Sequence, residues 1–491
     1  MQFATPESVG ISSEWIKEYI EKLEAAGLAT HDLIIMRHGK VVFEGYWAPF
    51  NKDFLHRMYS VTKSFVSLAI GFLEQDGLIN LDDRVAKYFP DETKNLTDDN
   101  FKKQTIRDML MMATAKPTQS WFKAKTPDRV RFYFENDGEQ SRPSGTIFQY
   151  DSTGSFVLGA LVERVSGKTL NEYLREKLFD SIDVSKEAYF LTCPGGHSWG
   201  DSALLCTARD LLKTAKFCLD RGKVGEKQIL NKEYVTAATS RQIDNNPSGL
   251  TRYDTFGYGY QFWMTYDGGF SFNGMGGQFA ICVPQKDFIA VINADNQGDS
   301  LAHTVVFDNL FNMIIRRIDS ESIEQDESGY TKLMEYAKTL KLNCAKGANR
   351  SPLTSKINGV EFKCNKNPMG LEKLRFEFED ERGVLRYTNA QGEKELLLGL
   401  CKNEFCKFPQ SNYSDLVGSQ AGDRLYDCAV SAAWKDESTL YVNCQIIDTY
   451  FGRLHITFSF KDEKTLGIYM TKTAEDFLDE YTGFATAFAS E

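Results

Sequence analysis

The chain has little with which to cross-link itself or hold a metal. Its 491 residues include ten cysteines and six histidines, both scattered. The cysteines run from Cys193 to Cys444, and the closest pair, Cys401 and Cys406, has neither zinc-like spacing nor a matching second pair. Reduced thiols packed as small hydrophobes are the expectation. No histidines pair at i, i+4 as on a helical metal site, so no metal and no cofactor is expected. Excess positive charge is lacking too: the net charge is −11, with no Lys/Arg stripe, which argues against nucleic acid as a partner. The longest apolar run, Ser64 to Leu73, is far short of the ~20 residues of a membrane span. The first residues, Met1 to Glu7, have neither a basic start nor an apolar stretch. A cytoplasmic protein without membrane contact is expected.

What is present is an ordinary globular composition, 42% hydrophobic and 25% charged, in a chain too long for one core. Glu14 to Ala26 reads as an amphipathic helix closed by Gly27. Leu33–Met36 and Val41–Phe43 read as a hairpin turning at His38-Gly39-Lys40. A long helix is predicted from Ser60 to about Gln75, and further helices over Ser155–Val165, Ala208–Leu219 and Leu301–Arg317. Strand signals return at Tyr258–Met264, Phe279–Val283 and Ile289–Asn293. A hairpin at one end and strands at the other imply an α+β unit, its antiparallel sheet assembled from both ends and flanked by helices. Residues 319–355 read as a linker with a short helix, polar and acidic from Asp319 to Ser328. From 356 to 491 the pattern changes to period two: Leu374, Phe376 and Phe378 alternate with charged residues, and Leu454, Ile456, Phe458 and Phe460 repeat the theme. A separate antiparallel β-barrel, lipocalin-like, with an apolar inner face, is expected there.

Ser60-Val61-Thr62-Lys63 is an S-x-x-K tetrad. Residues three apart on a helix share a face, so the Lys63 nitrogen can reach the Ser60 hydroxyl. Backbone N–H groups at a helix start also favour an oxyanion there. The spacing alone is also that of a capping serine and a solvated lysine. A second copy, Ser120-Trp121-Phe122-Lys123, follows Pro117 and begins no long apolar helix.

The run Met58 to Pro90, with Ser-Val-Thr-Lys-Ser-Phe, Gly77-Leu78-Ile79-Asn80-Leu81-Asp82-Asp83 and Tyr88-Phe89-Pro90, resembles the class C β-lactamase family. That family also holds DD-peptidases, D-aminopeptidases, carboxylesterases and oligoamide hydrolases. The resemblance continues through Ile106–Leu110, Gly200–Ala203, Thr207–Leu211 and Gly257–Tyr260, and covers roughly residues 5 to 318. It implies the β-lactamase/transpeptidase-like fold, a helical lobe beside the sheet, and a covalent acyl-serine at Ser60. It makes Tyr150, in Tyr150-Asp151-Ser152, the second proton carrier beside Lys63; if the two lie together, each favours the other's reactive form. Ser152 stands where the family has Asn. In Phe272-Asn273-Gly274-Met275-Gly276-Gly277, Phe272 stands where it has Lys or His. These departures remove the usual grips on an amide and a carboxylate. The resemblance also implies an oxyanion hole from the N–H groups of Ser60 and Met275, and a substrate wall that includes Ser152, Asn273 and Gly274; a glycine-rich turn is the plain alternative. Trp121, Trp199 and Met264 would line an acyl pocket or pack in the core. His197 reads as a loop histidine rather than a triad base.

The expected activity is hydrolysis of a small ester or amide, with a homo-oligomer left open. The alternatives are a DD-peptidase or β-lactamase, and a non-catalytic binding or assembly protein of the same fold.

Overall fold

The computed structural model describes residues 1–117, 126–135, 140–246, 255–411, 424–475 and 477–490. The chain divides into two compact units, Met1–Lys341 and Leu342–Glu491.

In the first unit the hairpin Thr30–Arg37/Lys40–Tyr46 is buried on both faces of its first strand, as the near-continuous Leu33-Ile34-Ile35-Met36 requires. That strand pairs antiparallel with Phe288–Ala294, Ile34 opposite Val291. Gln278–Val283, Phe270–Gly274 and the short Trp263–Met264 follow in order, and Gln2–Phe3 adds a parallel edge to Lys40–Tyr46. The seven-stranded sheet is therefore built from both ends of the unit. Helices Ser13–Ala25 and Ala302–Met313 pack together over one face, burying Ile16, Ile20 and Leu23 against Val306, Phe307 and Leu310. Helix Ala208–Leu219 covers the other face. Helix Glu327–Ala337, in the stretch read as linker, packs on Ser13–Ala25, with Leu333 buried and Tyr336 bonded to Glu24.

The stretch Tyr258–Met264, expected as one strand, is strand only at Trp263–Met264. Gln261 has φ 64° and breaks the run into a turn. The closing helix ends at Met313 and is followed by a 3₁₀ turn at Ile315–Arg317.

The second unit is a closed barrel. Nine strands follow one another around it, from Gly392–Leu400 through Arg382–Asn389, Lys373–Phe378, Glu361–Cys364, Gly483–Ala489, Thr465–Thr473, Phe451–Asp462 and Thr439–Ile447 to Asp427–Trp434. A parallel pairing, Gly399 opposite Ser431, closes the ring, and Glu404–Lys407 lies on the outer edge of the last strand. Closure removes the unpaired strand edges that an open sheet would present. Leu374, Phe376, Ile456 and Phe458 point inward and are buried. Phe378, expected with them, is half-buried and stacks on Phe376.

Candidate active site

Ser60 lies in a 3₁₀ turn, Tyr59–Val61, immediately before helix Thr62–Gln75. Two contacts clamp the turn to strand Leu204–Cys206: Met58 N–H donates to Leu204 O (2.8 Å) and Leu204 N–H to Thr62 Oγ1 (3.1 Å). Tyr59, directly before the serine, is buried with φ 45°. That region is sparsely populated for a bulky residue, and such outliers gather at functional sites. The Arg57 guanidinium lies 4.8 Å from the centre of the Tyr59 ring.

One helical turn on, Lys63 Nζ donates to Ser60 Oγ at 2.9 Å and to the carbonyl of Asp201 at 2.7 Å. Lys63 is 1% exposed. Its nitrogen also sits 5.1 Å from the centre of the Tyr150 ring, within cation–π range. Tyr150 itself stacks on Trp263, centroids 5.6 Å apart, and rests on Met112, Phe148 and Tyr258. Serine, lysine and tyrosine, from positions 60, 63 and 150, therefore meet in one place.

Strand Phe270–Gly274 presses on the serine turn from the other side. A Cβ at Gly274 would lie 2.4 Å from Met58 O, so only glycine permits this approach. The hairpin tip Met275-Gly276-Gly277 follows, with φ 83° and 105° at the two glycines. Gln278 Nε2 holds it by donating to the carbonyls of Met275 and Ala294 (2.8 Å each), and Asn296 N–H donates to Gly276 O (2.8 Å).

A cavity of about 420 Å³ opens beside Ser60. Tyr150, Trp263, Asn273, Gly274 and Met275 form one part of its wall, and Phe279, Asn296, Asp299, Ala302, His303 and Val306 another. Ser152 is not on that wall: Asp151 caps the helix by accepting from Gly154 N–H, and Ser152 takes the first helical position. Trp121, with Ser120 and Lys123, lies outside the described residues. Phe272 is wholly buried against Phe262 (4.9 Å) and Phe65 (6.4 Å). Trp199 is also in the core, between the guanidinium groups of Arg57 and Arg129, and Met264 is buried off the cavity wall. His197 bonds Glu163 through Nδ1 (2.8 Å), as a loop anchor would.

Three supporting residues were not anticipated. Arg129, buried between Phe156 and Trp199, pairs with the Asp201 side chain at 3.0 Å, on the residue whose carbonyl receives Lys63. Burial pulls the guanidinium pKa down, and the Asp201 carboxylate opposes it. Gln261 receives Ser64 Oγ–H on its carbonyl (2.7 Å) and Ser155 Oγ–H on its side chain (2.7 Å), and its amide donates to Met109 and Leu110 carbonyls. It thus ties helix Thr62–Gln75, which follows Ser60, to helix Ser152–Ser166, which follows Tyr150. Trp263 supplies the face on which Tyr150 stacks.

Among the described residues no group of three or more His, Cys, Asp or Glu side chains is arranged to hold a metal ion. No helix among them is long and apolar enough to cross a membrane.

A tetrad serine is thus clasped by a lysine, with a tyrosine alongside and a glycine-rich hairpin opposite. The model of the Beta-lactamase family matches residues 13–308, and the chain belongs to that family. The 6-aminohexanoate-dimer hydrolase of Paenarthrobacter ureafaciens is 25% identical over 285 residues, 53% of this chain and 71% of that one. Among solved structures, the octameric penicillin-binding protein homologue from Pyrococcus abyssi matches with a TM-score of 0.51 at 16% identity, over 96% of this chain and 99% of that one. EstCE1, a hydrolase with promiscuous acyltransferase activity, matches with a TM-score of 0.51 at 16% identity, over 62% of this chain and 99% of that one. At these identities the structural matches speak for the fold alone. The family and the name of the curated relative indicate a hydrolase.

Proposed function

We propose that the protein is a serine hydrolase of small esters or amides, working through an acyl-Ser60 intermediate. The observation that carries this reading is the 2.9 Å contact between Lys63 Nζ and Ser60 Oγ at the wall of an open cavity. With Lys63 as the neutral amine, the same contact runs in reverse and takes the serine proton. Ser60 Oγ then adds to the substrate carbonyl, and the N–H groups of Ser60 and Met275 receive the oxyanion. Tyr150, beside Lys63, passes the proton to the departing alcohol or amine. Water then adds to the acyl ester by the reverse proton path and releases the acid. Asn273 and Gly274 orient the substrate carbonyl from the hairpin side. The relative named for hydrolysis of the 6-aminohexanoate dimer supports including amides.

With Phe272 turned into the core, a β-lactam or peptide carboxylate lacks the cation that the family's Lys or His would supply at that place. Short esters should therefore outrun nitrocefin.

The test is a fluorophosphonate probe with peptide mapping, alongside ester kinetics. A single label at Ser60 is expected, lost in Ser60→Ala, with turnover lowered about 10²-fold or more in Lys63→Ala. A label on another serine, or a Lys63→Ala enzyme within about twofold of wild type, would refute the mechanism.

A further inference from the structure

The barrel holds a cluster of thiols that the chemistry at Ser60 does not use. Cys406, Cys428 and Cys444 stand on three neighbouring strands, Glu404–Lys407, Asp427–Trp434 and Thr439–Ile447. Cys406 and Cys428 are direct partners in the antiparallel register, and their Sγ atoms lie 3.5 Å apart. The Cys428 thiol also donates to Cys406 O at 3.4 Å. Directly opposite residues of such a ladder have Cα atoms about 4.5 or 5.5 Å apart. Both values fall within the roughly 4.4–6.8 Å that a disulfide spans. Cys444 stands opposite Val430, diagonal to Cys428. Diagonal neighbours are about 7–8 Å apart, beyond that reach. The register therefore selects one pair of the three.

The pair sits beside the joint that closes the ring. The parallel pairing there is short, Gly399 with Ser431 and Leu400 with Ala432, whereas the next pairing runs the whole length of Arg382–Asn389. Just beyond Leu400 the chain turns back as Glu404–Lys407 and pairs with the same strand, Cys406 opposite Cys428. A bond between these two cysteines would fasten the short joint from the adjoining strand. It would also cross-link positions 22 residues apart, which restricts the unfolded chain. Cys428 is wholly buried and Cys406 half-buried, so a small oxidant meets Cys406 first. The Cys428 thiol and then burial hold the Cys406 pKa above the ordinary thiol value, so the bond forms under sustained oxidation rather than in a brief pulse.

We infer that Cys406 and Cys428 are a redox modification site, joined as a disulfide by exchange with a low-molecular-weight disulfide, and that the bond locks the seam of the barrel. The Cys406 thiolate attacks one sulfur of the small disulfide and expels the other as a thiolate, leaving a mixed disulfide. Cys428 then attacks Cys406 Sγ and displaces the second small thiol. Two protein thiols give up two electrons and two protons, and one small disulfide becomes two thiols. The site is separate from Ser60, and the serine-hydrolase reading neither supports it nor depends on it.

The experiment incubates the full-length protein with oxidised glutathione, blocks the remaining thiols with iodoacetamide, and maps the peptides by mass spectrometry. One new link is expected, between Cys406 and Cys428, with two of the ten cysteines lost to alkylation and restored by dithiothreitol. The link should form equally in Cys401→Ser and not at all in Cys406→Ser. Hydrogen exchange on the same samples reads the seam. In the oxidised protein the amides of 399–400, 404–407 and 427–432 should exchange at least about tenfold more slowly, and those around Ser60 at an unchanged rate. No link at all, or peptides that carry only mixed disulfides with glutathione, would overturn the pairing. So would a link elsewhere, as between Cys344 and Cys401, where the Cys344 thiol donates to Cys401 O at 3.4 Å. A Cys406–Cys428 link that leaves exchange at the seam unchanged would overturn the lock.

Discussion

Replacing Gly274 with alanine probes how closely the hairpin must approach the serine turn. The added methyl would lie 2.4 Å from Met58 O and 2.9 Å from Gln278 Cβ. The first contact is about 1 Å shorter than ordinary van der Waals distance, and both partners are anchored. Met58 is held to Leu204, and Gln278 to Met275 and Ala294. Strand and turn must therefore part by roughly that amount, which moves Met275 N–H away from Ser60. A misplacement of about 1 Å in a reacting assembly lowers rate on the order of 10²-fold. Overpacking of this kind destabilises by about 1–3 kcal/mol, so the variant should still fold. Kinetics on a short ester, normalised to the fraction of Ser60 that takes a fluorophosphonate label, separate lost geometry from lost protein. Gly467→Ala is the control: among the described residues only Ser459 O, at 3.6 Å, lies near its added methyl, and activity should not change. A Gly274→Ala enzyme within about twofold of wild type would show that the Met275 N–H takes no part in the reaction.

Two further predictions concern stability. Arg129→Met strands the buried Asp201 carboxylate, a loss of about 3–5 kcal/mol, and Arg129→Met/Asp201→Asn should recover part of it; melting curves in which the double variant is no more stable than the single would refute the pairing. In the barrel, burial and then the nearby Arg453 pull the His455 pKa down to about 4. The unfolded chain, with an ordinary value of about 6.5, therefore takes up a proton that the folded barrel refuses between those limits. Stability from this group is present above about pH 6.5 and falls as pH drops towards 4, by about 2–3 kcal/mol at pH 4.5. His455→Gln should flatten that slope in thermal melts at pH 7 and 4.5, and an unchanged slope would show that other groups carry it.

The parts legible in the sequence are those fixed locally. Three residues of helical spacing bring Lys63 to Ser60, and that reach needs no knowledge of the rest of the chain. Alternation along Lys373–Phe378 and Phe451–Asp462 likewise exposes the two faces of a barrel wall. What stayed hidden was set by distant partners. The Asp201 carbonyl lies 138 positions from the lysine that it receives. Gln261 looks like one residue of a strand, but its positive φ answers to Ser64, Ser155 and Leu110.

The sheet's pairing also sets a timetable for synthesis. Thr30–Arg37 hydrogen-bonds to Phe288–Ala294, so the ribosome must add roughly 250 residues between the two strands. At about 5–20 residues per second that takes some 12–50 s. Through that interval Leu33, Ile34, Ile35 and Met36 can pair with Lys40–Tyr46, but their neighbour on the other edge is not yet made. A four-residue apolar run left half-covered that long is a natural client for a chaperone. Slower elongation before residue 294 should raise the fraction of nascent chain lost to aggregation, while slower elongation through the barrel should not.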